Sequence, residues 1–359
     1  MLFADLMNST EMAKNLTLEQ YDGMLVDFQS TMFDITSNHL REFGYTGNGA
    51  DSEWSIAGDE LRVFLYSGRL RFDARNALLI AVKIKLGWLT SNFNQRILKE
   101  GRLVSRIGAG INCGKVIKDV KPWRVSMGQK NPVIEGYALN LTKRIESASR
   151  EGTVYQVMVG DSLYQFCRDD GQINVAFSEP RNDLFKGFAQ KITVYEVVSF
   201  LNYEIVHSMP ESYRKKLIKT MEYAVFQPMP EPWILFTLLR TYISEIAVKG
   251  REFYVSKAIK LAHQAFDVLE YKKFIYNILG WLYTYCQSVR NLETAFHYFD
   301  QTLELDPRDQ TALLHRARIS EMRGNLDFAK RTYEELLVLN TENLEAGRKL
   351  AQYQEEELI

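Results

Sequence analysis

The feature that most constrains this chain is a change of period near residue 200. Before it, short apolar runs alternate with longer stretches whose apolar residues recur every three or four positions. After it no stretch reads as a strand, and the helical pattern itself repeats. Ala295 and Ala329 lie 34 residues apart, as do Phe299 and Tyr333, and Gly324-Asn325 supplies a turn between paired helices. Alternating strand and helix signals predict an α+β sandwich, with helices packed on one sheet. A fixed period in an all-helical tail predicts stacked helix pairs, each covering its neighbour's apolar face.

The first half opens on the strand Met1-Leu2-Phe3-Ala4-Asp5 and turns through Leu6-Met7-Asn8-Ser9-Thr10 into a helix. Thr17-Leu18-Glu19-Gln20 has the capping-box pattern, a hydroxyl followed three residues on by an amide. Tyr21, Leu25, Phe28, Met32 and Ile35 then mark one face of a helix reaching about Phe43. Gly44, Gly47 and Gly49 punctuate a loop. A hairpin follows, Trp54 to Ala57 and Leu61 to Leu65, with Gly58-Asp59 at its turn. One long helix is predicted next, with Leu79, Val82, Leu86, Leu89, Phe93 and Ile97 on one face. Strands are predicted at Leu103 to Ile111, Trp123 to Met127, Thr153 to Val159 and Ile192 to Val197, and a helix from Ala138 to Ser149. The expected organisation is a sandwich over residues 1–200, a helical linker over 201–231 broken by Pro210, Pro228 and Pro230, and helical repeats over 232–359. The earliest helix pair, Pro232 to Glu270, is the loosest, and a solvating helix closes the array from Leu344.

Composition narrows the function classes. A net charge of -1 gives no electrostatic reason to expect nucleic acid or an anionic membrane as partner. The most apolar helical run, Leu78 to Leu89, is broken by Lys83 and Lys85 and is too short to span a bilayer. Cys113, Cys167 and Cys286 are scattered and odd in number, which suggests reduced thiols and a cytoplasmic location. The opening carries no basic n-region, so no secretory leader is expected. Met1 lies only four residues before Asp5, so the first strand is short and leaves room for an upstream segment. The five histidines show no metal spacing, and no GxxxxGK[ST] loop exists.

Chemistry concentrates on two carboxylates. Asp5 closes a buried strand beside free backbone amides, and Asp59 sits at the tip of a hairpin. Paired carboxylates on neighbouring strand ends can hold magnesium or manganese, which prefer oxygen ligands and bridge phosphates. The plain alternative is that Asp5 caps the turn before Thr10 and that Asp59 is simply a good hairpin residue.

Five blocks in order favour the first reading. Phe3-Ala4-Asp5-Leu6-Met7-Asn8-Ser9-Thr10 resembles the opening metal-binding strand of the class III adenylate/guanylate cyclases. Gly58-Asp59-Glu60-Leu61-Arg62-Val63-Phe64 looks like their second metal-binding hairpin. Arg106-Ile107-Gly108-Ala109-Gly110-Ile111-Asn112-Cys113-Gly114 is similar to their glycine-punctuated strand. Gly136-Tyr137-Ala138-Leu139-Asn140-Leu141-Thr142-Lys143-Arg144 matches the helix that carries an Asn and, four residues on, an Arg. Phe185-Lys186-Gly187, followed by Thr193-Val194-Tyr195-Glu196-Val197, resembles the closing turn and strand. The repeating tail, with small and then aromatic positions in the second helix, resembles the tetratricopeptide repeat.

The resemblance implies a ferredoxin-like nucleotide cyclase sandwich followed by an all-α tetratricopeptide-like domain. It implies attack of a ribose 3′-oxygen on the α-phosphorus of a nucleoside triphosphate, expelling pyrophosphate, with two Mg2+ or Mn2+ ions. Asp5 and Asp59 would bind the ions, Asn140 would orient the ribose, and Arg144 would stabilise charge on the α-phosphate. Arg106 and Lys186 would hold the outer phosphates. The four-residue spacing puts Asn140 and Arg144 on one helix face. In this family the metal carboxylates and the Asn/Arg helix serve one active site from opposite subunits, so a homodimer with two symmetric sites is implied.

The base-reading positions depart from the family. Ser55 stands where adenylate cyclases place lysine and guanylate cyclases glutamate, and Val133 takes the partner position. Ser55 can make a hydrogen bond and the Val133 side chain none. The preceding loop could supply the missing partners through Gln129 or Asn131, or Glu135 could do so. ATP is the expected substrate, with GTP or a pyrimidine triphosphate open. The repeats would serve regulation or a protein partner. The alternatives are a catalytically degenerate cyclase-like domain acting as a dimerising nucleotide-binding regulator, and a scaffold whose business lies in the repeats.

Overall fold

The structure is a computed structural model that describes residues 1–47, 49–119, 133–168, 175–200, 209–227, 230–268 and 271–356. The chain forms two compact units, Met1–Leu238 and Leu239–Ile359. The first is α+β and the second all-α.

The first unit is built on one mixed sheet. Strand β1 (Leu2–Leu6) lies between β3 (Glu60–Leu65) and β4 (Ile107–Ile111), antiparallel to both. The hairpin partner β2 (Ser52–Ala57) forms one edge beyond β3. On the other side β4 runs parallel to β7 (Val157–Gly160), and β7 pairs antiparallel with β10 (Ile192–Phe200). Short strands β8 (Val175–Phe177) and β9 (Arg181–Asp183) both pair with β10. A separate ribbon joins β5 (Ile117–Asp119) to β6 (Val133–Glu135).

Helix α1 (Ser9–Asn15) follows the turn after β1, and α2 (Leu18–Glu42) starts at the expected capping box. Thr17 Oγ1 accepts from the Gln20 amide at 3.2 Å, and the Thr17 amide donates to Gln20 Oε1 at 3.0 Å. The single long helix expected next is two helices, α3 (Leu70–Leu89) and α4 (Asn92–Lys99). Ser91 stops the first and caps the second, its hydroxyl accepting from the Asn94 amide at 3.2 Å. Helix α3 is buried on nearly every side, packed against α2, α4 and strands β1, β3 and β4.

Two expected strands are shorter than their apolar runs. The Asn94 side chain takes both backbone groups of Ser105, at 2.8 Å and 3.2 Å, so the ladder begins only at Ile107. The amides of Thr153, Val154 and Gln156 each donate to the Glu196 carboxylate at 2.8 Å, so β7 begins at Val157. The strand expected at Trp123 to Met127 lies outside the described residues.

Helix α5 (Tyr137–Ala148) packs on the sheet face that carries Gly108 and Gly110. A Cβ on Gly110 would lie 2.1 Å from the backbone nitrogen of Glu146, so only glycine lets the helix come this close. Helix α6 (Asp161–Cys167) follows β7, and α7 (Glu211–Val225) lies along α3 and α4, with the Tyr213 hydroxyl 2.9 Å from Thr90 Oγ1 and Gln95 Nε2 donating to Thr220 Oγ1 at 3.0 Å. Helix α8 (Pro232–Lys249) begins within this unit.

In the second unit, α9 (Val255–Val268), α10 (Lys272–Tyr285), α11 (Leu292–Leu305), α12 (Gln310–Met322), α13 (Leu326–Leu339) and α14 (Leu344–Glu356) each pack on the next. Helices α11 and α13 start 34 residues apart, at Leu292 and Leu326, and end 34 apart, at Leu305 and Leu339. Ala295, Phe299, Ala329 and Tyr333 are all fully buried, as their spacing requires. Burial of each ring contributes about 1.5–3 kcal/mol. Among the described residues no helix is long and apolar enough to cross a membrane.

Candidate functional site

The site begins where β1 ends. Asp5 is flanked across the ladders by Glu60 of β3 and Gly108 of β4. Just beyond, the Leu6 amide donates to the Asp59 carbonyl at 3.1 Å, which draws the hairpin tip to the end of β1. Gly58, at φ 62°, makes that tight turn. Asp5 and Asp59 therefore lie at one strand end, close enough for the Asp59 charge to act on the Asp5 carboxyl.

Helix α5 delivers groups to this spot that sequence reasoning missed. Arg150, just past its end, donates from Nη2 to Asp5 Oδ2 at 3.0 Å. Lys143 Nζ lies 3.9 Å from Asp5 Oδ2 and 2.8 Å from Glu146 Oε2, and it pairs with Glu60. Glu146 is 1% exposed, and its Oε1 has no hydrogen-bond partner among the described residues. The available signal was the i, i+3 pairing of Lys143 and Glu146 on the inward face of α5; its direction depends on how the helix sits on the sheet.

Burial and charge shape this cluster in opposing directions. Burial, then the charges of Glu146 and Asp59, push the Asp5 carboxyl up to about 6 despite Lys143 and Arg150. Burial works to lower the Lys143 ammonium, but bonds to Glu146 and Glu60 hold it above its ordinary value. Burial likewise opposes ionisation of Glu60, yet Lys143 and Arg62 hold its carboxyl below the ordinary range. Among the described residues no group of three His, Cys, Asp or Glu side chains forms a ready-made metal cage. Magnesium is commonly held by one or two carboxylates together with waters and substrate phosphates. Asp5 and Asp59, in a negative field with an orphaned buried carboxylate oxygen behind them, fit such an ion.

A second cluster lies on α5 and the turn after β9. Asn140, Arg144 and Lys186 line one open pocket of about 410 Å3, with Tyr137, Gly187, Phe188 and Lys143, the lysine that also reaches Asp5 and Glu60. The Tyr137 and Phe188 rings meet edge-on at 5.1 Å and form its apolar wall. Among the described residues no carboxylate pairs with Arg144 or Lys186, so the pocket offers two uncommitted cations and an amide. Asn140 and Arg144 make no hydrogen bond or ion pair with Asp5 or Asp59 among the described residues.

Arg106 occupies a third place. Its carbonyl accepts from the Met7 amide at 2.9 Å, so it adjoins the turn that leaves Asp5. It lines a cleft of about 240 Å3 with Asn8, Arg102 and Glu231, and its Nη1 lies 3.5 Å from Glu231 Oε1. Asn8, at φ 60°, takes the left-handed conformation that asparagine tolerates.

The base-reading candidates are not gathered. Ser55 is exposed on edge strand β2, opposite Arg62. Val133 and the exposed Glu135 lie on the β5–β6 ribbon, with Glu135 opposite Ile117. Gln129 and Asn131 lie outside the described residues.

No protein-family model matches the chain, and no curated protein matches it. Solved structures do. The guanylyl cyclase Cya2 is 22% identical, with a TM-score of 0.43 over 55% of this chain and 90% of that one. A bacterial light-regulated adenylyl cyclase is 14% identical, with a TM-score of 0.39 over 61% and 95%. The dimeric guanylyl cyclase domain of the RhoGC fusion protein from the aquatic fungus Blastocladiella emersonii is 16% identical, with a TM-score of 0.36 over 55% and 94%. These are likenesses of fold.

Proposed function

We propose that the chain is a nucleotide cyclase that converts a nucleoside triphosphate, ATP first, to a 3′,5′-cyclic nucleotide and pyrophosphate. The observation that carries this reading is a division of labour within one chain. Asp5 and Asp59 meet at one strand end beside Glu60 and Glu146, while Asn140, Arg144 and Lys186 line a cationic pocket that shares only Lys143 with that cluster. Neither cluster is a complete site for a metal-bound triphosphate. A head-to-tail homodimer that sets one chain's carboxylates against the other's pocket completes two.

In that arrangement the ribose 3′-hydroxyl gives its proton to water as its oxygen attacks the α-phosphorus, the bond from α-phosphorus to the bridging oxygen breaks, and pyrophosphate leaves. Two Mg2+ or Mn2+ ions, when bound, lower the cost of the 3′-alkoxide and neutralise the phosphates. Asp5 and Asp59 hold their carboxylates in place for those ions. Asn140 donates to or accepts from the ribose and fixes its pucker. Arg144 meets the charge that builds on the α-phosphate, where a fixed guanidinium acts most strongly. Arg106 and Lys186 bind the outer phosphates. The test is turnover with manganese and ATP, GTP, CTP and UTP offered separately, with Asp59→Ala as control. One cyclic product, lost in the variant, is expected. No product from any triphosphate, with dimeric protein, overturns the reading.

A catalytically degenerate, dimerising regulator is the second reading. It draws on Lys143 and Arg150, side-chain cations that already pair with the carboxylates. The helical unit, whose α11 and α13 repeat at 34 residues, is proposed as a tetratricopeptide-like arm for a protein partner.

A further inference from the structure

Glu231 stands immediately before α8 and is the residue whose carbonyl receives the first helical amides, from Ile234 at 3.0 Å and Leu235 at 3.2 Å. Aspartate in that position would turn back to cap its own helix, whereas the longer glutamate side chain is free to reach outward. Here it turns to Arg106 instead, with its side chain only 12% exposed and Arg106 at 34%. The same segment is fixed at two further points. Trp233 lies under the buried Lys85 ammonium, 4.9 Å from Nζ to the ring, and Lys85 donates at 2.6 Å to the carbonyl of Ile107, next to Arg106. The Tyr155 hydroxyl lies 2.9 Å from Thr237 Oγ1. The segment is therefore anchored so that the Glu231 carboxylate stands in the cleft lined by Arg106, Arg102 and the turn after Asp5.

We propose that Glu231 is an internal competitor for the triphosphate: its carboxylate occupies Arg106, and an incoming polyphosphate must displace it. This rests on the cyclase reading, which gives Arg106 its phosphate. The position of Glu231 gives the device its use. Helix α8 starts at Pro232, one residue on, and its later turns belong to the second unit. A change that draws or twists α8 acts on Glu231 through the backbone. Nucleotide affinity is then set at the first turn of α8, with no need for the second unit to touch the substrate.

The test uses the full chain with manganese and inorganic tripolyphosphate as the titrated probe, alongside turnover with the triphosphate that gives product. Glu231→Gln keeps the backbone carbonyl and the volume, so α8 can start as before. It is expected to bind tripolyphosphate about fivefold more tightly, the scale of one partly exposed ion pair, and to lower KM similarly with kcat little changed. In an Arg106→Gln background the same substitution should change affinity less than about twofold, which separates release of Arg106 from general loss of a negative charge. Glu231→Asp, shorter by one methylene but a good helix cap, should fall between and carries the test if glutamine unsettles the helix. Unchanged or weaker binding by Glu231→Gln with normal turnover overturns the competitor and leaves the cyclase reading standing. Equal tightening in the Arg106→Gln background also overturns it. Neither binding nor turnover from any folded variant overturns both.

Discussion

Asp5→Asn should make the metal-free protein more stable and abolish its response to metal. At pH 7 the folded chain holds Asp5 ionised against burial and against the charges of Glu146 and Asp59, which lift its carboxyl from 3.8 to about 6. A carboxyl raised on folding contributes its full stability below 3.8, and that contribution is lost as pH rises through about 6. The gap amounts to about 3 kcal/mol if undiluted. Asp5 is only half-buried, so solvent softens both its burial penalty and the repulsion from Glu146 and Asp59, which reduces this to about 1–2 kcal/mol. Removing the charge should therefore raise the metal-free melting temperature by about 3–6 °C for a unit of this size. Wild type should recover stability with manganese, by about 2.7 kcal/mol at a hundredfold excess over Kd, while Asp5→Asn should not. Thermal unfolding in EDTA and in a manganese series measures both effects. A lower metal-free melting temperature for Asp5→Asn, or an equal gain from manganese, would refute the view of Asp5 as a strained metal carboxylate.

Three further outcomes test the architecture around the site. Asp59→Ala and Arg144→Ala should each be inactive alone, and a mixture allowed to exchange subunits should regain about a quarter of wild-type turnover, since half the dimers carry one intact site; no recovery from freely exchanging chains contradicts shared sites. Gly110→Ala places a methyl 2.1 Å from the Glu146 backbone, so it should cost about 1–3 kcal/mol in urea unfolding and lower kcat by lifting α5; unchanged turnover would show that the depth of α5 does not matter. Lys85 is pushed down to about 7 by burial, so the unfolded chain binds more protons between there and 10.5, and stability should climb with pH by up to about 1.4 kcal/mol per unit. Lys85→Met should flatten that climb between pH 7 and 9, and a persistent slope would assign it elsewhere.

The fold was legible wherever local signals and tertiary structure agreed. The capping box at Thr17, the hairpin around Asp59 and the 34-residue spacing of Ala295 and Ala329 each depend on neighbours or on strict period, and each stands in the structure. Legibility failed where a side chain from elsewhere took over backbone groups. Nothing in the run Leu103 to Ile111 says that Asn94 will claim Ser105, and nothing in Thr153 to Val159 says that Glu196 will gather three amides. Apolar periodicity reads burial and not hydrogen-bond partners, so it lengthens strands that tertiary carboxylates and amides cut short.

The site divides along the same line, and the division explains why α5 matters. Asp5, Asp59, Asn140 and Arg144 could be nominated from sequence because the blocks that carry them resemble those of the class III cyclases. Lys143, Glu146, Arg150 and Glu231 were not, because a lysine or glutamate on an amphipathic helix is ordinarily a solvated charge. What turns Lys143 and Glu146 inward is the bare backbone of Gly108 and Gly110, which lets α5 settle onto the strand beside β1. That one docking sets Lys143 and Glu146 against Asp5 and Glu60 and places Asn140 and Arg144 in the pocket with Lys186, with Lys143 lining both. Charge on the carboxylates therefore acts on the helix that presents the cationic pocket. A cation bound at Asp5 would compete with Lys143 for that carboxylate, and Lys143 also lines the pocket of Asn140, Arg144 and Lys186.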